Sequence, residues 1–271
     1  MTAEFRPVEA ATPGQPLVTV DPWSRLAAFT PARLALGRAG SGLPTKEVLA
    51  LALAHAAARD AVHASFDTAP LAAWCEATGL AWLAVESAAP NREVYLRRPD
   101  LGRRLSARSR DALARSIPTP TDISIVLADG LSATALAENG QAVLEALLPA
   151  LQARGFALAP VCLAHQGRVA LGDEIGEILQ ARLGIVLIGE RPGLSAADSL
   201  GAYLTFRPRL GRTDAERNCV SNIRAAGLAP PQAAAKIAWL IDQALSLSLS
   251  GVGLKDDSDH ALLSPRQPPT G

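Results

Sequence analysis

The chain has 271 residues, 49% of them hydrophobic, with 26 basic (Lys and Arg) and 26 acidic (Asp and Glu) side chains. This length exceeds the ~100–200 residues of an ordinary domain, so we expect one large domain or one domain with an extension. The balanced charge creates no overall field for nucleic acid or an anionic membrane, and it favours a small molecule or another protein as the ligand.

The first segment, residues 1–21, is predicted to be a flexible tail. It carries Glu4 early and prolines at Pro7, Pro13 and Pro16, and it lacks the apolar core of a signal peptide. No apolar stretch reaches the ~20 residues of a membrane span without a charged or histidine interruption. We therefore expect a cytoplasmic protein that contacts no membrane.

Residues 22–117 are predicted to be mainly helical. Pro44 and Thr45 open a helix that continues through a run of strong helix formers, and a second, shorter helix covers 71–78 and stops at Gly79.

The densest positive cluster follows that region, and we call it the basic segment (residues 97–104). Its neighbourhood from Tyr95 to Pro99 is predicted to be extended. Two interpretations stay open: a solvated charged face, or a docking surface for an acidic patch of a partner or a ligand phosphate. The arginines of the basic segment are Arg97, Arg98, Arg103 and Arg104.

From Pro118 onward, apolar strand-like runs alternate with helical segments. Ser132 is the predicted N-cap of a long helix that stops at Gly155, and Pro230 opens the last helix. This alternation predicts an α/β fold with a mostly parallel sheet and helices on both faces. We place this domain at 118–250, followed by a flexible C-terminal tail at 251–271.

Two predicted strands end in polar, glycine-containing loops. One loop carries Asp129 and Gly130; the other carries Glu190, Arg191 and Gly193. Ligands of open α/β sheets bind beyond the carboxyl ends of the strands, so both loops are candidate binding sites. Two plainer interpretations remain, namely helix capping by Asp129 and a surface ion pair between Glu190 and Arg191.

Several familiar kinds of active site have no signature in the sequence. There is no glycine-rich dinucleotide or phosphate-binding motif and no nucleophile elbow. Cys75, Cys162 and Cys219 are far apart, which indicates reduced thiols and no zinc site. We therefore predict no catalytic residue and no metal ligand in this chain, and we expect a domain that holds a group supplying the chemistry.

A series of motifs resembles the small-subunit family of ethanolamine ammonia-lyase. The motifs occur in the family's order and cover about residues 20 to 250. They are GRAG (37–40), YLRRPDLGRRL (95–105), ADGLSA (128–133), GRVALGDEIGEIL (167–179), GERPGL (189–194) and CVSNI (219–223).

The resemblance implies a lyase made of two kinds of subunit that share adenosylcobalamin, a cobalt corrin. In this family the large subunit binds ethanolamine, and radical chemistry converts ethanolamine to acetaldehyde and ammonia. The small subunit contributes a Rossmann-like domain that covers the lower side of the corrin. The N-terminal helices and the basic segment are then the expected contacts with the large subunit.

Three cofactor contacts of the family fall on residues of this chain. The valine of GRV is Val169, the glutamate of GERPG is Glu190, and the cysteine of CVSN is Cys219. A corrin is a broad apolar disc fringed with amides, so apolar contacts and fixed acceptors both suit it. For Cys219 a purely structural role as a small buried side chain stays open. Arg168 is a weaker candidate, as are Asp129 and Arg191.

Two alternatives to a cofactor-binding subunit remain. One is an assembly or binding subunit with no direct cofactor role, and the other is a free-standing α/β enzyme acting on a small metabolite. Relatives housed in bacterial microcompartments often begin with an amphipathic helix. The proline-interrupted tail shows no such apolar stripe. We expect a cytoplasmic location, and a microcompartment stays open.

Overall fold

A computed structural model describes residues 16–30, 32–116 and 121–259. Most of the N-terminal tail predicted at 1–21 and the end of the C-terminal tail, 260–271, lie outside the described residues. The chain divides into two compact units, Met1–Ala57 and Ala58–Gly271. No helix in the described ranges is both long enough and apolar enough to cross a bilayer.

Seven α-helices occur in the described residues. They are Thr45–His63 (α1), Ala69–Ala77 (α2), Arg92–Arg97 (α3), Ala107–Arg115 (α4), Ala133–Ala153 (α5), Leu171–Ile178 (α6) and Pro230–Leu247 (α7). The predicted starts at Thr45 and Pro230 are confirmed, and so is the Ser132 cap, whose hydroxyl accepts the N–H of Ala135 at 3.1 Å. Gly155 follows the end of α5 with a φ of 69°, as expected of a helix-terminating glycine.

Six strands of the described chain form one sheet in the order β1-β3-β2-β4-β5-β6. The first four strands in that order run parallel to one another, whereas β5 is antiparallel to both β4 and β6. The strands are Trp82–Glu86 (β1), Ile123–Ala128 (β2), Val161–His165 (β3), Leu183–Gly189 (β4), Leu200–Phe206 (β5) and Arg217–Ile223 (β6).

The sheet is covered on both faces, and β2 shows why. Its side chains alternate, so that Ile123, Ile125 and Leu127 join one apolar cluster while Val126 and Ala128 join another. The first cluster includes residues of α2, α5 and α7, and the second includes residues of α4 and α6. A strand buried on both sides reads as a continuous apolar run, which is how β2 and β4 were recognisable in the sequence.

The prediction of a mostly parallel sheet holds only for β1 to β4. A parallel connection needs a crossover of about a dozen residues or more, usually a helix. The segment 190–199 between β4 and β5 is shorter and contains no helix, so the chain turns back and β5 runs antiparallel. The sheet is therefore mixed.

Local predictions before residue 118 need one correction and one addition. The extended conformation predicted for Tyr95 to Pro99 is wrong at its start, because α3 continues to Arg97. The Asn91 side chain caps α3 by accepting the N–H of Val94 at 2.9 Å. The region expected to be mainly helical also contributes β1, which pairs in parallel with β3.

The beginning of the segment assigned to the C-terminal tail packs against the sheet. The side-chain amide of Asn218 donates to the Leu254 carbonyl at 2.8 Å, and its oxygen accepts the N–H of Gly251 at 2.8 Å. Leu254 and Ser258 are buried. Residues 251–259 thereby cover part of β6.

A buried ion pair joins α6 to β6. The Arg217 guanidinium donates to both carboxylate oxygens of Asp173, at 2.5 and 2.7 Å, and both side chains are only 3% exposed. Thr205 accepts a further bond from Arg217 at 3.0 Å. Asp214, 3.4 Å from the Arg217 Nε, is exposed. Because Asp173 is the buried counter-charge of Arg217, this pair constrains how α6 packs over the sheet.

We predict that Asp173→Asn destabilises the fold strongly. The substitution removes the buried counter-charge and leaves Arg217 with only the exposed Asp214 as an ion-pair partner, so the free energy of unfolding should fall by about 3 kcal/mol or more. Chemical denaturation of the wild type and of the Asp173→Asn variant measures this change. The control is Glu93→Gln, which removes an exposed pair with Arg97 and should cost about 0.5 kcal/mol or less. Equal effects of the two substitutions would contradict the role of the buried pair.

Candidate functional site

A cavity of about 420 Å³ opens at the carboxyl end of β2 and β4, and we call it the edge cavity. After β2 the chain turns towards β3, and after β4 it turns the other way, to β5. Diverging loops of this kind leave a crevice between the two strand ends, the usual ligand position in open α/β sheets. The cavity is lined by Tyr95, Gly130, Leu131, Arg168, Val169, Ile188, Gly189, Glu190, Arg191 and Tyr203.

Glu190 is held by donors from the residue before β5 and from β6. The Ser199 hydroxyl donates to Glu190 Oε2 at 2.6 Å, and the Ser221 hydroxyl donates to Oε1 at 2.6 Å. The backbone N–H of Asn222 adds a longer bond to Oε2, at 3.3 Å. A carboxylate offers about four acceptor positions, so one remains for a ligand donor.

Sheet topology explains why these side chains meet. In the antiparallel ladders Gly189 is paired with Leu200, and Leu200 with Ile223. The end of β4, the start of β5 and the end of β6 therefore share one edge of the sheet. Glu190 and Ser199 flank the turn between β4 and β5, and their backbones are joined by a 2.9 Å hydrogen bond.

Gly201 leaves room for this arrangement. A Cβ atom at position 201 would lie 2.9 Å from Glu190 Oε1 and 3.2 Å from its Cγ, closer than ordinary contacts. The absence of a side chain there lets the carboxylate lie over the start of β5.

Val169 and Arg168 enter the cavity from the loop after β3. The backbone N–H of Arg168 donates to the Gly102 carbonyl at 2.8 Å, which fixes the loop against the turn that follows α3. Val169 packs against the apolar cluster beneath α6 and is half-buried. With Leu131 and Ile188 it gives the cavity an apolar side.

A polar network that includes Tyr95 forms the inner wall. The Tyr95 ring contacts the guanidiniums of both Arg92 and Arg168, whose Cζ atoms are 4.8 and 4.3 Å from its centre. Its hydroxyl donates to the Gly167 carbonyl at 3.0 Å. Burial raises the pKa of the Tyr95 hydroxyl, so it acts as a donor at neutral pH.

Asp129 belongs to this network rather than to the cavity surface. Its carboxylate accepts the backbone N–H groups of Gln166 and Gly167 at 3.0 and 3.1 Å, and it lies 3.6 Å from Arg92. Burial raises the pKa of Asp129, and the two amides and Arg92 oppose that shift. Ser132 caps α5, so Asp129 is not the helix cap; it holds the loop after β3 in place.

The floor of the cavity is backbone. Gly130 lies in the loop between β2 and α5 and has a φ of 55°. This loop crosses the end of β4 so closely that a Cβ atom at position 130 would overlap the carbonyl oxygen of Gly189. The N–H of Leu131 donates to that same oxygen at 2.9 Å. Only glycine fits this approach, which lets the cavity reach down to the main chain.

Cys219 does not line the edge cavity, but its neighbour does. It is paired in register with Tyr203 across the ladder of β5 and β6. Partial burial raises the pKa of the Cys219 thiol, which keeps it protonated and unsuited to nucleophilic chemistry. Cys219 is exposed on β6, two residues before Ser221.

The structure thus brings Val169, Glu190, Arg168 and Arg191 to one cavity, with Cys219 one side chain away. No local pattern singles out Tyr203, Ser199 or Ser221, because each depends on the pairing of β4, β5 and β6. Tyr95 stands within a quoted motif, but its burial arises from a helix that the sequence was not expected to form.

A second cavity, of about 450 Å³, opens at the carboxyl ends of β1 and β3. It is polar, and its lining includes Glu86, Ser87, Ser106, His165 and Gln166. It shares the loop after β3 with the edge cavity but contains neither Val169 nor Glu190.

The family described as Ethanolamine ammonia-lyase light chain (EutC) matches residues 20–255 of this sequence. The chain belongs to the ethanolamine ammonia-lyase light-chain family. The match includes every residue of the edge cavity and every strand of the sheet, so it concerns the site as well as the fold.

Curated relatives of this light chain carry the name "Ethanolamine ammonia-lyase small subunit". The protein of Xanthomonas campestris pv. campestris is 53% identical over 246 residues, covering 90% of each chain. That of Bradyrhizobium diazoefficiens is 55% identical over 244 residues, covering 90% of this chain and 94% of the relative. That of Azotobacter vinelandii is 52% identical over 249 residues, with 90% and 92% covered.

We predict that Glu190→Gln destabilises this light chain without any ligand present. The amide retains a single oxygen, which can accept only from Ser199 and Asn222, so its NH₂ group replaces the oxygen that accepts the Ser221 hydroxyl, and three hydrogen bonds to a charged carboxylate become neutral ones. The free energy of unfolding should fall by about 1–2 kcal/mol. Thermal or chemical denaturation measures the loss, with Glu138→Gln on the exposed side of α5 as the control. If the Glu190→Gln protein were as stable as the control variant, Glu190 would not stabilise the junction of β4, β5 and β6.

Proposed function

We propose that this chain is the small subunit of an adenosylcobalamin-dependent ethanolamine ammonia-lyase and that its edge cavity contacts the cofactor together with a large subunit. The observation that carries the proposal is the meeting of Val169 and Glu190 in one cavity at the switch in strand order. Both come from motifs that resemble the family's cofactor contacts, and the chain belongs to that family.

The residues of the edge cavity suit part of a corrinoid. Adenosylcobalamin is larger than the drug-sized ligands that fill cavities of ~300–1,000 Å³, so only a projecting part enters and a partner covers the rest. Val169, Leu131 and Ile188 offer apolar contact. Glu190 has one acceptor position left for an amide N–H, and the guanidinium of Arg168, a residue of the cavity lining, carries donors and a positive charge.

Bound adenosylcobalamin supplies the radical chemistry by which ethanolamine becomes acetaldehyde and ammonia. The proposed task of this chain is to orient and enclose that group: Glu190 fixes a peripheral amide, Val169 excludes water, and Cys219 packs beside Tyr203. No side chain of this chain is assigned a proton transfer, because the ionisable groups at the cavity are either hydrogen-bonded within the wall or permanently charged.

The Rossmann-like character implied by the resemblance forms part of the proposal. Support comes from the parallel order β3-β2-β4, in which the chain leaves the central strand in one direction and returns on its other side. The resulting crevice is the position at which doubly wound sheets hold nucleotide-like cofactors.

The N-terminal unit supports a contact with a large subunit. Most of the exposed large apolar side chains of the described residues fall between Leu17 and Leu53, among them Trp23 (69% exposed) and Phe29 (86%). Concentrated apolar exposure of this kind marks protein–protein interfaces.

The basic segment is a weaker contact candidate. Arg97 pairs with Glu93 and Arg98 with Asp100, which leaves Arg103 and Arg104 as its unpaired charges among the residues described.

The reaction itself is tested by reconstitution. We expect ethanolamine-dependent acetaldehyde release, with added adenosylcobalamin, only when this chain and a cognate large subunit are combined. Activity of this chain alone would favour a free-standing enzyme. An assembled complex without activity would favour an assembly subunit, and either result would contradict the proposal.

Direct contact with the cofactor is tested by affinity. In the two-subunit complex, Glu190→Ala should weaken adenosylcobalamin binding by about tenfold or more, because a charged hydrogen bond is lost. Val169→Asp should weaken it too, since it places an unpaired charge at an apolar contact. Equilibrium dialysis measures both, and Glu138→Ala is the matched control. Unchanged affinity in both variants of a folded, assembled complex would reject a cofactor role for the cavity.

A further inference from the structure

Arg168 is poorly satisfied in the wall of the edge cavity. Its Nε is buried and has no hydrogen-bond partner, and its Nη2 makes a single long bond, 3.5 Å to the Tyr95 carbonyl. Arg92 also has a partnerless buried nitrogen, Nη2, but its Nε and Nη1 bond carbonyl oxygens at 2.6 and 2.8 Å. A guanidinium normally uses its donors in pairs on a planar acceptor group.

The charge of Arg168 is also uncompensated. Neither Arg168 nor Arg191 has an ion-pair partner within the described ranges, whereas Arg92 lies 3.6 Å from Asp129. Glu190, which shares the cavity, is occupied by three protein donors. The cavity therefore has net positive charge, and its spare hydrogen-bonding capacity consists mainly of donors.

The backbone floor gives a ligand group access to this charge. Gly130 and Gly189 bring the loop after β2 and the end of β4 together without side chains, and Arg168 lines the same cavity. A compact anionic group that enters the cavity therefore meets main chain on one side and the Arg168 side chain in the same lining. A low-dielectric wall containing Tyr95 and Ile188 strengthens that attraction.

We propose that Arg168 binds a phosphodiester, namely the phosphate in the nucleotide loop of the corrinoid, so that the edge cavity takes the nucleotide side of the cofactor. This rests on the proposed function. Among the groups that project from a cobalamin corrin, the phosphodiester carries the negative charge, while the others are neutral amides and an aromatic base. A positively charged cavity too small for the corrin itself selects that group.

The test compares two corrinoids that differ by the phosphate: cobinamide and cobinamide phosphate. The wild-type two-subunit complex should bind cobinamide phosphate at least about tenfold more tightly than cobinamide. In Arg168→Gln that preference should shrink to about twofold or less, with the affinity for cobinamide little changed. The change in the visible spectrum on binding, or equilibrium dialysis, gives both affinities without any turnover.

Two further variants separate phosphate binding from packing. Arg209→Gln removes the same charge beyond the opposite end of β5, where Arg209 is exposed, and should keep the wild-type preference. Arg168→Lys should retain part of it, because the charge remains.

An equal loss for both corrinoids in Arg168→Gln would mean that Arg168 acts only by packing on Tyr95, and it would overturn the inference. A wild-type complex with no preference for the phosphate would overturn it as well, while leaving the proposed function intact.

The wild-type complex could bind adenosylcobalamin but neither of the two truncated corrinoids. In that case the affinity for adenosylcobalamin is measured at increasing salt concentrations. Loss of salt dependence in Arg168→Gln would support the inference, and unchanged salt dependence would overturn it. A complex that binds no corrinoid would overturn both proposals.

Discussion

The Glu190 carboxylate joins the ends of three neighbouring strands, and the geometry of the site depends on it. It follows β4, accepts the hydroxyl of Ser199 before β5, and accepts Ser221 and Asn222 at the end of β6. This junction lies where the sheet changes from parallel to antiparallel pairing, so no continuous ladder of parallel strands fixes the loops there. Removing the side chain would free three donors at once and loosen the rim of the edge cavity.

A second hydrogen-bond network, formed by Asp129, Arg92 and Tyr95, lies at the inner wall of the cavity. Asp129 and Tyr95 are buried, Arg92 is partly buried, and all three bind mainly backbone groups, so they fix the loop that carries Arg168 and Val169. The cavity thus combines a rigid wall with donors that the protein leaves unused. A binding site requires a pre-organised wall whose donors are not all bonded within the protein. At a purely structural sheet edge, buried donors are expected to have protein partners.

The sequence predicted the elements that carry their own local signals. Strand β2 is apolar on both faces, and α5 begins at Ser132 and ends before Gly155, so both were recognisable. Strands β1 and β6 were not, because they lie at the sheet edges, where only part of each strand is buried and apolar alternation is weak. Family motifs located Val169 and Glu190, but their shared cavity depends on strand order, which no local pattern encodes.

The most direct test of the central claim is the position of cobalt in the assembled two-subunit complex. Anomalous X-ray scattering at the cobalt absorption edge, from crystals of the complex with adenosylcobalamin, locates the metal without assumptions about the protein. We predict a cobalt peak facing the edge cavity, with corrin density in contact with Val169 and Glu190. A cobalt site enclosed by the large subunit alone, with the edge cavity turned away from it, would contradict the assignment of this chain to the cofactor site.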